Sequence, residues 1–136
     1  MLLPKVLIIY GPRQVGKTTL VKQFLSNYSG KYKFYTGMIL LSLKIYQNVV
    51  WIYFERCFFD IDLLVIDEAQ KIPEIGRALK LIIDNIEGIS VIVTGSSSFD
   101  LINRTGESLT GRKITCIMYP ISFQELVNQD GAYDTD

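Results

Sequence analysis

The chain has 136 residues, 49% hydrophobic and 21% charged, the size and balance of one globular domain with a buried core. Fourteen Lys and Arg offset fourteen Asp and Glu, and there is no histidine. Ser-His-Asp and Cys-His catalysis, imidazole general bases and His-containing zinc sites are therefore excluded, and acid–base chemistry has to come from carboxylates.

The zero net charge hides an asymmetry. No Asp or Glu occurs before Glu55, whereas Lys5, Arg13, Lys17, Lys22, Lys31, Lys33 and Lys44 do. A nucleic-acid face in the first part is one reading. The basic residues are scattered, which favours a simpler one: lysines meeting phosphates, and acids beside a metal. Cys57 and Cys116 lack metal-type spacing and read as small buried apolar residues of a reduced, cytoplasmic protein. The N-terminus carries no charged leader or cleavage site. The most apolar region, Met38 to Phe59, is broken by Lys44, Gln47-Asn48 and Glu55-Arg56, short of the ~20 apolar residues a membrane helix needs. A soluble protein with no membrane partner is expected.

In chain order, Lys5 to Tyr10 is a continuous apolar run ending at glycine, the pattern of a parallel strand buried on both faces. Gly11-Pro12-Arg13-Gln14-Val15-Gly16-Lys17-Thr18 follows, and then Leu20, Phe24 and Leu25 at helical spacing, stopped at Asn27 to Gly30. Tyr32 to Tyr35 alternates weakly and reads as a second strand. Gly37 to Phe59 has no clear period; a helix through Leu40, Leu43, Ile45 and Val49 and a strand over Val49 to Phe54 both stay open. Ile61 to Ile66 is another buried strand. Pro73 and Glu74 then read as the start of a helix, proline first and acid in the first turn, with an apolar stripe from Ile75 to Ile86 and Gly88 as its cap. Ile89 to Val93 is a strand, Phe99 to Asn103 a short helix, Thr105 to Lys113 a polar loop, and Ile114 to Tyr119 the fifth strand. Ser122, with Glu125 three residues later, caps a last helix. Asn128 to Asp136 reads as a loose tail. Strands and helices alternate, so the expected fold is α/β with a mostly parallel sheet and a ligand at the strands' carboxyl ends.

The chemistry gathers at those ends. Gly11 to Thr18 has the spacing G-x-x-x-x-G-K-[ST] between a strand and a helix. Its glycines let the backbone turn N–H groups toward one point, and the helix adds its positive end. Lys17 is expected to reach the outer phosphates of a nucleotide, and the Thr18 hydroxyl to hold Mg²⁺. Asp67, at the tip of a buried strand, is expected to hold the same Mg²⁺ through water, and Glu68 to polarise an attacking water. Thr94 or Ser96 is positioned to bond the γ-phosphate or that water; a serine-rich turn capping the next helix explains them equally well. Arg112 is the arginine-finger candidate, with Arg104 as the fallback and an ordinary solvated basic turn as the competing reading.

These residues together carry a resemblance. The segments Gly11 to Leu20, Leu63 to Pro73, Thr94 to Leu101, Leu109 to Lys113 and Tyr119 to Leu126 resemble, in order, the bacterial and archaeal AAA+ ATPases of the AAA_14 type. The resemblance covers residues 3 to 36 and 61 to 127. It implies a P-loop ATPase core over residues 1–127 with a five-stranded sheet in the order 5-1-4-3-2. It also implies binding of ATP with Mg²⁺ by Gly11, Pro12, Arg13, Gln14, Val15, Gly16, Lys17, Thr18 and Thr19 of a Walker A motif. Asp67 and Glu68 match Walker B, and the strand ending at Ser96 matches the sensor strand. In a self-associated form Arg112 would face a neighbouring site. Two departures stand out: residues 37–60 match poorly, being more apolar than in relatives, and relatives continue past the last helix into a C-terminal region that this chain lacks. An ATP-binding module without turnover is therefore one alternative. A DExD/H-type nucleic-acid-dependent ATPase, suggested by Asp67-Glu68-Ala69-Gln70, is another, although the chain has no room for a second motor domain. The absence of an Asn-Lys-x-Asp motif argues against a GTPase.

Overall fold

The computed structural model describes residues 5–12, 16–42, 58–96, 109 and 111–119. Five strands, β1 (Val6–Tyr10), β2 (Tyr32–Thr36), β3 (Leu63–Asp67), β4 (Ser90–Gly95) and β5 (Lys113–Ile117), form one sheet in the order β2-β3-β4-β1-β5. Every pairing is parallel. This is the expected order read from the opposite edge. Helices α1 (Lys17–Ser26), α2 (Gly37–Ser42) and α3 (Ile75–Asn85) accompany the sheet, with a 3-10 turn over Ala69–Lys71.

The alternation of side chains along each strand divides the core in two. Val6, Ile8, Tyr10, Leu64, Ile66, Val91 and Val93 pack with Ile72, Leu79, Ile82 and Phe58 on the α3 face. Ile9, Leu63, Val65 and Ile92 pack with Val21 and Leu25 of α1 on the other. The inner strands β1, β3 and β4 are covered on both sides, which is why their sequences are unbroken apolar runs. The edge strands are legible only weakly for the same reason: β2 is half-buried and β5 is largely exposed. Cys116 lies on β5 and is exposed, contrary to the expectation of a buried cysteine, because an edge strand has one uncovered flank.

Two local expectations about α3 are corrected. The helix begins at Ile75, and its first turn holds no acidic residue. Glu74 is left-handed (φ 54°) and serves as the N-cap, its carbonyl accepting from the N–H groups of Arg77 (3.1 Å) and Ala78 (3.2 Å). A residue in that conformation cannot continue a right-handed helix, so Pro73 stands outside it. The helix closes with the Ile86 N–H on Ile82 O (2.9 Å); Gly88 takes its positive φ in the turn beyond the helix.

Within the illegible stretch, Gly37–Ser42 is helical, and the Thr36 hydroxyl accepts from the Ile39 N–H at 3.2 Å, an N-cap bond. A strand over Val49 to Phe54, the helix at Phe99 to Asn103, the helix capped by Ser122 and the tail lie outside the described residues. Among the described residues no helix is long and apolar enough to cross a membrane.

Leu79 is fully buried between α3 and the sheet. Leu79→Ala is expected to cost about 2–5 kcal/mol in urea unfolding, against about 0.5 kcal/mol or less for Lys80→Ala on the exposed side of the same helix.

Candidate active site

The parallel arrangement puts the carboxyl ends of β1, β3 and β4 side by side, and the polar residues of the molecule's centre lie there. Gly11 leaves β1 with its N–H on Gly95 O (3.3 Å), while the Met118 N–H bonds Tyr10 O (2.8 Å). A Cβ on Gly11 would stand 2.2 Å from Met118 O, so only glycine fits between the ends of β4 and β5. Gly16, left-handed at φ 95°, is the N-cap of α1. That helix has no side-chain cap and no acidic residue in its first turn. Its leading N–H groups and positive end are therefore not answered by the chain's own carboxylates at the cap.

Lys17, at the first position of α1, is 6% exposed. Its Nζ donates to the carbonyls of Gly11 (2.8 Å) and Pro12 (2.7 Å), spanning the loop between β1 and α1. Burial pushes its pKa down, while the carboxylates of Glu68 and then Asp67 pull it back up.

Asp67, the last residue of β3, is buried. The Thr18 hydroxyl stands 3.0 Å from each of its carboxylate oxygens, and the Thr94 hydroxyl donates to its Oδ1. Thr94 Oγ1 also accepts the Glu68 N–H at 3.1 Å, so this hydroxyl is used as donor and acceptor at once. Glu68 is left-handed (φ 57°), which turns the chain sharply off the strand. The 3-10 turn then brings Gln70 back to Ser96, just beyond β4. The Gln70 Nε2 donates to Glu68 Oε2 and to Ser96 Oγ (2.8 Å), and Gln70 Oε1 accepts the Ser96 N–H (3.2 Å).

The structure thus brings Lys17, Thr18, Asp67, Glu68, Thr94 and Ser96 together, with Gly11, Pro12 and Gly16 forming the loop's described ends. Thr19 is exposed on the first turn of α1. Arg13, Gln14, Val15 and Arg104 lie outside the described residues. Arg112 is not brought to this site. It precedes β5, its carbonyl accepting the Val6 N–H (3.1 Å), and it forms an ion pair with Asp84 of α3. That is the amino edge of the sheet, about 13 Å along β1 from the loop, given a strand rise of ~3.3 Å per residue.

Sequence reasoning did not single out Gln70, and it left Thr94 and Ser96 interchangeable. Their roles differ: Thr94 binds Asp67, and Ser96 binds Gln70. The available signal was a lone amide, Gln70, between the buried Ala69 and the buried Ile72.

The donor set suits a hard divalent cation: a hydroxyl and a carboxylate facing each other beside the start of α1. Among the described residues there is no cluster of three His, Cys, Asp or Glu that would hold a metal unaided. Any cation here would share its shell with water and phosphate oxygens, which is how Mg²⁺ is usually bound.

Residues 3–127 match the model of the AAA_14 family, an AAA domain, and the chain belongs to this family of AAA-type P-loop ATPases. Over 108 residues it is 29% identical to an uncharacterized protein of Mycobacterium tuberculosis, covering 79% of this chain and 23% of that protein. An uncharacterized protein of Mycobacterium bovis matches to the same extent. The chain thus spans 23% of the length of these relatives. Among solved structures, it is similar to domain III of the replication initiation protein DnaA from Thermotoga maritima, with a TM-score of 0.58 and 13% identity. That match covers 96% of this chain and 64% of the other, and the likeness is one of fold.

Replacing Thr94 with Val keeps its shape but takes the acceptor from the half-buried Glu68 N–H and a donor from the buried Asp67. Thr94→Val is expected to lower stability by about 1–3 kcal/mol in denaturant unfolding, and Thr94→Ser to recover most of it.

Proposed function

We propose that the chain binds ATP with Mg²⁺ in the loop from Gly11 to Thr18, a Walker A motif, and hydrolyses it with Glu68 as general base. The observation that carries this reading is the convergence of Lys17, Thr18, Asp67 and Glu68 at the mouth of a helix N-terminus with no acid in its first turn. Lys17 would turn from the carbonyls of Gly11 and Pro12 to the outer phosphates, exchanging neutral acceptors for charged ones. The Thr18 hydroxyl, and Asp67 through water, would hold the Mg²⁺, which supplies charge to the phosphate oxygens when bound.

In the proposed reaction, a water oxygen forms a bond to the γ-phosphorus and the bond to the β,γ-bridging oxygen breaks. ADP and inorganic phosphate are released, and the water's proton passes to the Glu68 carboxylate. Arg112, paired with Asp84, has no part at the chain's own site. In an assembly it would have to leave Asp84 to face a neighbour's phosphate. The proposed setting is the cytoplasm, where ATP is present and an exposed thiol such as Cys116 stays reduced. A second reading is binding without turnover, which the comparison with Glu68→Gln below separates from the first.

Lys17→Ala is expected to weaken ATP binding by about ten- to a hundredfold in calorimetry, the weight of hydrogen bonds to charged groups. Undiminished affinity would remove the phosphate-loop assignment. Glu68→Gln is expected to keep ATP binding while Mg-dependent phosphate release falls by about 10²–10⁴-fold. Equal release by the two proteins would leave the binding-only reading.

A further inference from the structure

The side-chain amide of Gln70 reaches both ways: two of its hydrogen bonds go to Ser96, just beyond β4, and one returns to Glu68 at the end of β3. Its oxygen takes the Ser96 N–H (3.2 Å), which fixes which way the amide faces. The NH2 group is then left for Ser96 Oγ (2.8 Å) and for Glu68 Oε2. No other side chain of this length offers both a donor pair and an acceptor; Glu has no donor, and Asn is one methylene shorter.

The backbone around Glu68 is also held from two sides. Its N–H is bonded to Thr94, and its carbonyl is backed by Gly37, where a Cβ would stand 2.3 Å from Glu68 O. With its backbone fixed in the left-handed region, Glu68 keeps only side-chain torsions, and the Gln70 bond restricts those.

We propose that Gln70 is a positioning residue that fastens the Glu68 carboxylate to Ser96, so that the base and the tip of β4 are set in one geometry. A γ-phosphate or water that shifts Ser96 then shifts Glu68 with it, and the base is aligned only when the β4 tip is in register. The kinetic consequence rests on Glu68 being the base proposed above; the bridge itself does not.

The test has two arms. In the kinetic arm, Gln70→Met keeps the side-chain volume and removes donor and acceptor together. ATP affinity is expected to stay within about threefold of the unmodified chain while kcat falls about ten- to a hundredfold, the pattern of a misplaced catalytic group. Gln70→Glu, which retains an acceptor but has no donor for Glu68, is expected to lose at least as much kcat and serves if Gln70→Met does not fold. Unchanged kcat in either folded variant, with Glu68→Gln inactive, overturns the proposal. In the second arm, the side-chain amide resonances of Gln70 are followed by NMR in Ser96→Ala, with those of Asn85, which donates to Leu81 O, as the control. A shift of the Gln70 pair alone is expected. Resonances that stay in place overturn the bridge whether or not the chain turns over. If the unmodified chain releases no more phosphate than Glu68→Gln, the base assignment fails, and the NMR arm alone decides for or against the bridge.

Discussion

A carboxylate taken out of water at the end of a buried strand costs several kcal/mol unless donors meet it, and Asp67 is met by two hydroxyls. One comes from α1 and the other from β4, residues 49 and 27 positions away in sequence. For both to reach Asp67, β4 must lie beside β3, and β1 must deliver α1 from the far side of β4. The sheet order β2-β3-β4-β1-β5 does this. The strand order and the satisfaction of Asp67 are thus one constraint, since any arrangement that separated β4 from β3 would leave the carboxylate buried and short of a donor.

Lys17 completes the local charge balance from a distance. It donates to loop carbonyls, and the carboxylates of Glu68 and Asp67 act on it through space. Among the described residues, two carboxylates face one buried lysine, which leaves no positive excess there for a triphosphate. In the proposed reading, the leading amides of α1 and a divalent cation between Thr18 and Asp67 make up the difference, each being a fixed positive contribution at low dielectric. This is a reason to expect cation dependence that comes from the charge count and not from the motif.

Strands buried on both faces announced themselves as Val-Ile-Leu runs, so β1, β3 and β4 were legible from the residues alone. The strand order was not; it entered through the resemblance of the ordered motifs. The start of α3 was misread because Pro73-Glu74 has the composition of a first turn, whereas Glu74 takes a left-handed conformation that no composition reveals. Cys116 was misread because cysteine is usually buried, while its strand forms the open edge of the sheet. Thr94 could not be told from Ser96 by pattern, since their difference lies in which partner on β3 each one faces. The bond from Gln70 to Ser96 joins residues 26 positions apart and has no periodic trace.

Two left-handed glutamates bracket the passage from β3 to α3. Each costs about 1–2 kcal/mol relative to the right-handed region, an expense that most turns avoid by placing glycine there. At Glu74 the carbonyl bonds of Arg77 and Ala78 offset it by starting a helix whose apolar face fills the core. At Glu68 only a single 3-10 turn follows, and the compensation comes from the Lys71 N–H on its carbonyl (3.2 Å), the Thr94 hydroxyl and the Gln70 side chain. A glycine at position 68 would relieve the strain and remove the carboxylate. That a glutamate stands there, held by three separate hydrogen bonds, accords with its proposed role as the base.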